Sequence, residues 1–423
     1  MKNWAGNLKF NPKTIYSPKS KTEIQECVRE TISQKRTLRT RGSGHSWTGL
    51  IASDDNYLHL DNYQGVLNID TAKKQITAKT GTKLVSFGHE GFISGLALPN
   101  QGDIDRQSLA GALSTGTHGT GRELQSMANQ IKSVTFINGL GEEVTIDSNS
   151  PEIDGAKVSL GALGVATEMT IQMEESYRLR VEAFPESIER ALEQFEERLK
   201  TNRHLEMFFF PLGDWTITKI MNKTHEAPIE RGLIHRLNES VVENWLYTQM
   251  NRIAGVTGLY SGIDRIMQKC VSHTKLIDWS HRAFPTPRDF KFKEMEYAIP
   301  VHEFKNALRE IQKKVKERGF KTLMPVEIRF VKRDSLWLSP CYERDCVYFA
   351  FHTYISEDHR EYFKEMELIM RAYGGRPHWG KMHSLKAKDF SDLYPKFHDF
   401  LILREKFDPN GVFLNRHLLD IFM

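Results

Sequence analysis

The sequence predicts a two-domain protein of mixed helices and strands, on three observations. Its 423 residues exceed the roughly 100–200 expected of a single domain. Helix-like and strand-like segments are interleaved without a regular βαβ rhythm. After Tyr177 the glycines thin out and long charged amphipathic segments take over, which places a domain boundary near residue 175. With 39% hydrophobic and 26% charged residues, the composition is that of a globular chain and excludes a disordered, collagen-like or coiled-coil one.

The elements follow in order. Ser20-Lys21-Thr22-Glu23 reads as a capping box, and Ile24, Val28 and Ile32 recur at helical spacing, so a helix is expected over 20–36. Val66–Asp70 and Gln75–Lys79 flank a polar turn as a hairpin, followed by a short helix from Lys83 to near Gly91. A Gly/Thr-rich run over 109–121 precedes the alternating strand Ile131–Ile137 and a second hairpin through Gly139 to Ile146. Beyond the boundary, Ile188–Leu199 and Phe304–Val315 are amphipathic, while Val326–Phe330 and Val347–Thr353 read as extended. The tail turns at Pro409-Asn410-Gly411, and Phe413, Leu414, Leu418, Leu419 and Ile421 should be docked, because exposed together they would form a sizeable apolar patch.

Charge and cysteine usage exclude several classes. Lys and Arg number 58 against 54 Asp and Glu, so a net charge of +4 gives no reason to expect a nucleic-acid partner or a polybasic membrane contact. Cys27, Cys270, Cys341 and Cys346 are irregularly spaced, fitting neither a disulfide framework nor a zinc site, and suggest a reducing compartment. No signal-like apolar run opens the chain and no stretch approaches ~18 apolar residues, so a soluble, cytoplasmic protein without a membrane span is expected. His378 and His383 are five apart and lack neighbouring cysteines, so no metal site is expected.

Three glycine-rich loops carry the chemistry: Arg41 to Ser46, Ser114 to Gly121 and Ser159 to Val165. Backbone amides in such loops approach a pyrophosphate closely, and three in one domain suggest a large dinucleotide. Each alone is a simple turn more often than not. The first is not a Rossmann fingerprint, since its third glycine and a following βαβ unit with a ribose-binding acid are missing, which disfavours NAD. It holds His45 at its centre instead, for which a backbone-capping loop histidine is the plainer reading of the segment by itself.

Arg41-Gly42-Ser43-Gly44-His45-Ser46 resembles the flavin loop of the vanillyl-alcohol-oxidase-type flavoproteins, and the Gly111 to Gly121 block is similar to their second phosphate loop. Glu327-Ile328-Arg329, Leu338-Ser339-Pro340-Cys341, Gly374-Gly375-Arg376-Pro377-His378-Trp379-Gly380-Lys381 and Phe407 to Gly411 through Leu414-Asn415 resemble the sugar-1,4-lactone oxidases, which include gulonolactone, arabinonolactone and galactonolactone oxidoreductases, with alditol oxidases close by. The resemblance implies an α+β fold. A two-subdomain FAD-binding domain would span 1–175, and a substrate-binding cap domain with a large antiparallel sheet and flanking helices would span 176–402. A tail over 403–423 would return to the FAD domain.

It also implies FAD joined covalently to His45. The implied cofactor contacts are Arg41, Gly42, Ser43, Gly44 and Ser46 in the first loop, then Gly102 and Asp103. Ser114, Thr115, Gly116, His118, Gly119 and Gly121 follow in the second loop, Gly161, Gly164 and Val165 in the third, and His378 and Lys381 near the C-terminus.

Four residues are implied to act on substrate. Glu327 and Arg329, two apart on an extended segment, share a face; a surface salt bridge is the plainer alternative and would contribute little. Lys381 is assigned by its motif alone. His352 lies in a nearly apolar strand, where a satisfied core histidine is the ordinary explanation. The corresponding strand of alditol oxidases reads His-x-Thr, whereas Ala350 and His352 share the face here, a departure that points away from a polyol.

The implied reaction moves a hydride from a sugar lactone to flavin N5. Arg329 and Lys381 would stabilise negative charge, Glu327 would orient Arg329 or bind a substrate hydroxyl, and Lys381 and His352 are candidates for taking the proton. Gly102 stands where the galactonolactone dehydrogenase pattern has alanine, which implies molecular oxygen as acceptor and hydrogen peroxide as product. The alternatives are an alditol oxidase, a lactone dehydrogenase serving a cytochrome or quinone, and a flavin-bearing sensor without turnover.

Overall fold

A computed structural model describes residues 1–229, 244–286 and 290–423 of the chain. The first helix runs Lys21–Ser33, and Ser20 Oγ accepts from the Glu23 amide. The reciprocal half of the capping box is displaced by one residue, because Glu23 accepts from the Lys19 amide. This helix covers a three-stranded parallel sheet, Thr14–Tyr16, Asn56–His59 and Leu38–Arg41, with Ile24 and Val28 packed on Leu38 and Leu58.

Both hairpins expected from the sequence form and join one five-stranded antiparallel sheet, in the order Val66–Asp70, Gln75–Lys79, Val165–Gln172, Ile131–Ile137, Glu143–Asp147. Two residues, Glu174–Glu175, then pair with Leu96–Ala97 as the chain leaves this sheet.

From Arg178 onward the chain builds an eight-stranded antiparallel sheet. Its order is Thr274–Trp279, Arg178–Ser187, Trp215–Thr224, His204–Phe210, Val326–Val331, Cys346–Tyr354, Phe292–Pro300, Arg376–Pro377. Side chains alternate across a strand, and here the alternation divides two kinds of chemistry. Met207, Ile328, Phe330, Phe349, Phe351, Met295 and Tyr297 point to one side and pack with the apolar faces of helices Ile188–Thr201, Phe304–Arg318 and Arg360–Ala372. Their neighbours Glu206, Glu327, Arg329, His352, Glu294 and Glu296 point to the other.

The last segment runs back to the first sheet. Leu38 donates its amide to Val412 O at 2.7 Å, and Asn415 Nδ2 donates to Gly49 O and Ala52 O at 2.8 and 2.7 Å. The turn is held by Asp408, fully buried, which accepts from the Val412 and Phe413 amides at 2.8 Å each. Phe413, Leu414, Leu418 and Ile421 are buried as expected, but Leu419 stays 39% exposed because it lies on the outer side of helix Arg416–Phe422. Among the described residues no helix is long and apolar enough to cross a membrane.

Candidate active site

The charged face of the large sheet looks onto the glycine-rich loops across a cleft. Gly42, Ser43, Gly44, His45 and Ser46 line it from the first loop, Ser114, Thr115 and His118 from the second, Ser159, Gly161 and Gly164 from the third. Gly102 and Asp103 complete that wall. Among the described residues no protein acceptor faces the amides of Ser43, Gly44 and His45, and such a run of free N–H groups suits an anion such as a pyrophosphate. Gly44 has φ +75°, and a Cβ there would stand 2.7 Å from Arg41 Nε. Arg41 itself does not line the cleft; it lies beneath the loop.

His45 is fixed by its neighbours. Trp4 stacks on the ring with centroids 5.2 Å apart and hydrogen-bonds Gly44 O through its own amide. Burial, then the charges of Lys381, Lys83 and Arg41, push the His45 imidazole down to about 4, so it is neutral at neutral pH. Its Nδ1 is buried and without a hydrogen-bond partner. A cleft lined by three glycine-rich loops, free amides and an unpartnered neutral imidazole together fit FAD.

Of the other residues implied to touch the cofactor, several support the loops from behind. A Cβ on Gly119 would meet Asn100 Oδ1 at 2.2 Å, and Gly121 donates to Phe330 O at 2.7 Å, fastening the second loop to the large sheet. Gly116 makes a positive-φ turn, and Val165 opens the strand Val165–Gln172.

On the opposite wall, antiparallel register aligns the charges. Glu206 lies opposite Arg329, and Lys219 opposite Glu206. Arg329 Nε donates to Glu206 at 2.6 Å, Nη2 pairs with Asp103 at 2.9 Å and also with Glu327, and Lys219 pairs with Glu206 at 3.1 Å. Burial alone would lower the guanidinium's affinity for its proton, but Asp103, Glu327 and Glu206 hold it well above its ordinary value. Asp103, Glu206 and Glu327 come together as closely as metal ligands do, and it is the guanidinium that they surround.

Lys381 arrives on a loop that docks along the edge of strand Phe292–Pro300. His378 N donates to Glu296 O at 2.9 Å and Met382 N to Glu294 O at 3.0 Å. Lys381 Nζ pairs with Glu294 at 2.5 Å and lies 4.3 Å from the centre of the Trp47 ring. Trp47 is anchored through Nε1 to Phe292 O and through its amide to Gly380 O, both at 2.8 Å. His378 Nδ1 accepts from the Gly380 amide at 3.0 Å, which leaves the hydrogen of the neutral ring on Nε2; burial pushes this imidazole down to about 4.

His118 and Glu296 form a second buried pair, Nε2 to Oε1 at 3.3 Å, with the imidazole stacked 3.7 Å from the Tyr348 ring. Burial pushes the Glu294 and Glu296 carboxyls up, yet Lys381 and His352 hold the first, and His118 and His378 the second, below the ordinary value. His352, implied to act on substrate, sits behind Glu294 and does not line the cleft.

Sequence reasoning missed Glu206, Lys219, Glu294, Glu296, Trp47 and Arg39. Glu294 and Glu296 carried a signal, two carboxylates at strand period between apolar residues. Arg39 carried none: it is buried with no acid paired to it among the described residues, and donates to the carbonyls of Leu50, Leu160, Gly161 and Phe413.

Comparison with known proteins is consistent with this geometry. The D-arabinono-1,4-lactone oxidase family matches residues 169–421, and the FAD-binding domain family matches residues 12–147. L-gulono-1,4-lactone dehydrogenase of Mycobacterium tuberculosis is 33% identical over 416 residues, covering 98% of this chain and 96% of the relative. L-gulonolactone oxidase of Mus musculus is 30% identical over 435 residues, covering 99% and 97%. The crystal structure of cholesterol oxidase from B. sterolicum superposes with a TM-score of 0.83 at 16% identity, covering 100% of this chain and 96% of that one, a likeness of fold.

Proposed function

The chain belongs to the D-arabinono-1,4-lactone oxidase family, and from that premise we propose that it oxidises a sugar 1,4-lactone of the gulono or arabinono type, using FAD tethered to His45. The observation that carries the reading is the juxtaposition of Arg329, Glu327 and Lys381 on one wall with His45 and its free-amide loop on the other. Residues 1–175 act as the cofactor domain, 176–402 as the substrate cap and 403–423 as the returning tail; the change from small sheets to the large one at Arg178 and the Val412 contact to Leu38 support that division.

What FAD supplies when bound is hydride acceptance at N5 and return of the electrons to oxygen as hydrogen peroxide. The chain's own residues bind, orient and carry charge. Arg329, held by three carboxylates and with Nη1 on the His118 carbonyl, sets a fixed positive charge on the cleft wall, and Lys381, held between Glu294 and Trp47, presents an ammonium where negative charge develops. The neutral His45 has a lone pair to offer the flavin, as a covalent link requires.

Gly102 favours oxygen as the acceptor. Its φ is not in the left-handed region, so its backbone conformation does not call for glycine. A Cβ would stand 3.1 Å from His118 O and 3.8 Å from Arg329 Nη1, on the cleft wall, and glycine leaves that space open. The name of the Mycobacterium relative keeps a dehydrogenase as the second reading. The four free thiols, two of them buried together, suit a reducing, cytoplasmic setting.

The test is a peroxide-coupled screen of the purified yellow protein against gulono-, galactono- and arabinono-lactones beside xylitol and sorbitol. Peroxide from a lactone supports the proposal, reduction of artificial acceptors without oxygen uptake moves it to a dehydrogenase, and turnover of polyols alone overturns the substrate class. Acid precipitation tests the tether: flavin colour should stay with the pellet, and should be released from His45→Ala.

A further inference from the structure

Strand register puts Glu294 opposite His352, and the ring's hydrogens follow from its surroundings. His352 Nδ1 lies 3.1 Å from Pro325 O, a carbonyl that only accepts, so Nδ1 carries the hydrogen. In the neutral ring Nε2 is then a bare lone pair. It is buried, without a hydrogen-bond partner among the described residues, and stands 3.6 Å from Glu294 Oε1, just beyond hydrogen-bond length. The Nε2 position and the Glu294 carboxylate thus face one another directly, so a proton taken up by either is shared with the other.

The surroundings bury this contact and keep Lys381 out of the contest. Phe292 meets the His352 ring edge-on at 5.3 Å, and His352 is only 2% exposed. The other oxygen of Glu294 is fixed by Lys381 at 2.5 Å, and an ammonium so paired, over the face of Trp47, is a poor proton acceptor. Glu296, two residues along the strand and turned to His118, is the remaining acid facing the pair among the described residues. Glu294 lines the cleft and His352 lies directly behind it.

We propose that Glu294 and His352 are the proton-accepting dyad of the reaction, with Glu294 receiving the substrate hydroxyl proton and His352 Nε2 storing it. This rests on the alcohol-oxidising function proposed above. The balance is that the alcohol carbon loses its hydrogen with the electron pair to bound FAD, the O–H bond releases its proton to the dyad, and the C–O bond becomes a carbonyl. The dyad gains one positive charge, shared as an imidazolium–carboxylate pair. Lys381 is the positioning residue that aims Glu294.

The test begins with a readout that needs no turnover. In protein labelled with ¹⁵N-histidine, the His352 signals, assigned by their loss in His352→Gln, should show an Nδ1–H tautomer at high pH and protonation of Nε2 as pH falls. Glu294→Gln should move that protonation to lower pH, because the carboxylate that stabilises the imidazolium is gone. An Nε2–H tautomer, or a titration unmoved by Glu294→Gln, overturns the dyad whatever the substrate is. With a lactone that reduces the wild-type flavin, His352→Gln and Glu294→Gln should each slow flavin reduction by about 10²–10⁴ at neutral pH and make it climb with pH where the wild type levels off. A normal rate and profile in folded variants also overturns it. If no lactone reduces the wild type while the NMR behaviour holds, the function proposed above fails and the proton-storing pair stands.

Discussion

Arg329 gathers more opposing charge than any other cation on the cleft, and its replacement separates structural from chemical roles. Arg329→Ala would leave Asp103, Glu206 and Glu327 converging without the guanidinium that holds them, and removing one partner of a buried ionic group costs about 3–5 kcal/mol. Thermal unfolding should register that loss directly. Arg329→Lys keeps the charge but not the planar fork; it should fold, yet reduce its flavin about 10²–10³ slower in stopped flow. Equal reduction rates in Arg329→Lys and wild type would remove the fork from the mechanism. At Gly102, alanine presses on the His118 carbonyl, so Gly102→Ala should slow reoxidation by oxygen more than reduction by substrate; equal slowing of both half-reactions would point to a displaced second loop instead. Glu327 and Arg329 were legible because two charges two apart on an apolar strand share a face. Glu294 and Glu296 carry the same signature, alternating with Met295 and Tyr297, but one sequence does not say which charged faces converge. Arg329 and Glu206 meet across 123 residues, a distance set by sheet register alone.

Among the elements, helix Arg416–Phe422 is the most exposed to acid. His417 on it and His383 beside it lie 6.0 Å apart, with three of their four ring nitrogens buried and unpartnered. Burial, with the added charge of His383 on His417 and of Lys386 on His383, pushes them down to about 3 and about 4. A base whose folded value is depressed binds protons more readily unfolded, so its stability is complete above about pH 6.5 and is lost as pH falls toward 4. The melting temperature should therefore fall between pH 6.5 and 4, and the slope should flatten when His383 and His417 are both replaced by glutamine. It will not vanish, since His204 is also pushed down by burial, to about 3. A melting temperature flat across that range in the wild type would refute the account. At the turn before this helix, Asp408→Ala removes the acceptor of two buried amides, each costing about 1–3 kcal/mol when left unsatisfied. Strands and hairpins were readable because their period-2 patterns are local, whereas the value of Asp408 lies in amides four and five residues away that only the folded turn aims at it.

For the whole molecule, the decisive property is that the charged wall of the large sheet and the glycine-loop wall come from different parts of the chain and are held in register by backbone bonds such as Gly121 to Phe330 and Trp47 to Gly380. The two-part organisation was legible in the change of glycine density near residue 175; which face of the second part meets the first was not, because either face of a strand is equally available to a sequence pattern. The tether proposed at His45 should act at this scale too. His45→Ala should bind FAD only dissociably and lose thermal stability on dilution, since bound ligand stabilises by mass action; a melting temperature independent of added FAD would contradict this. Arg39 adds an ordering in time. Its guanidinium, on the strand that leads into the flavin loop, is completed by the carbonyl of Phe413, which leaves the ribosome 374 residues later. During synthesis the cofactor pocket therefore waits, with a buried cation short of an acceptor, until nearly all of the cap has been made. Flavin loading should therefore be a late event, and a chain released before residue 413 should remain colourless.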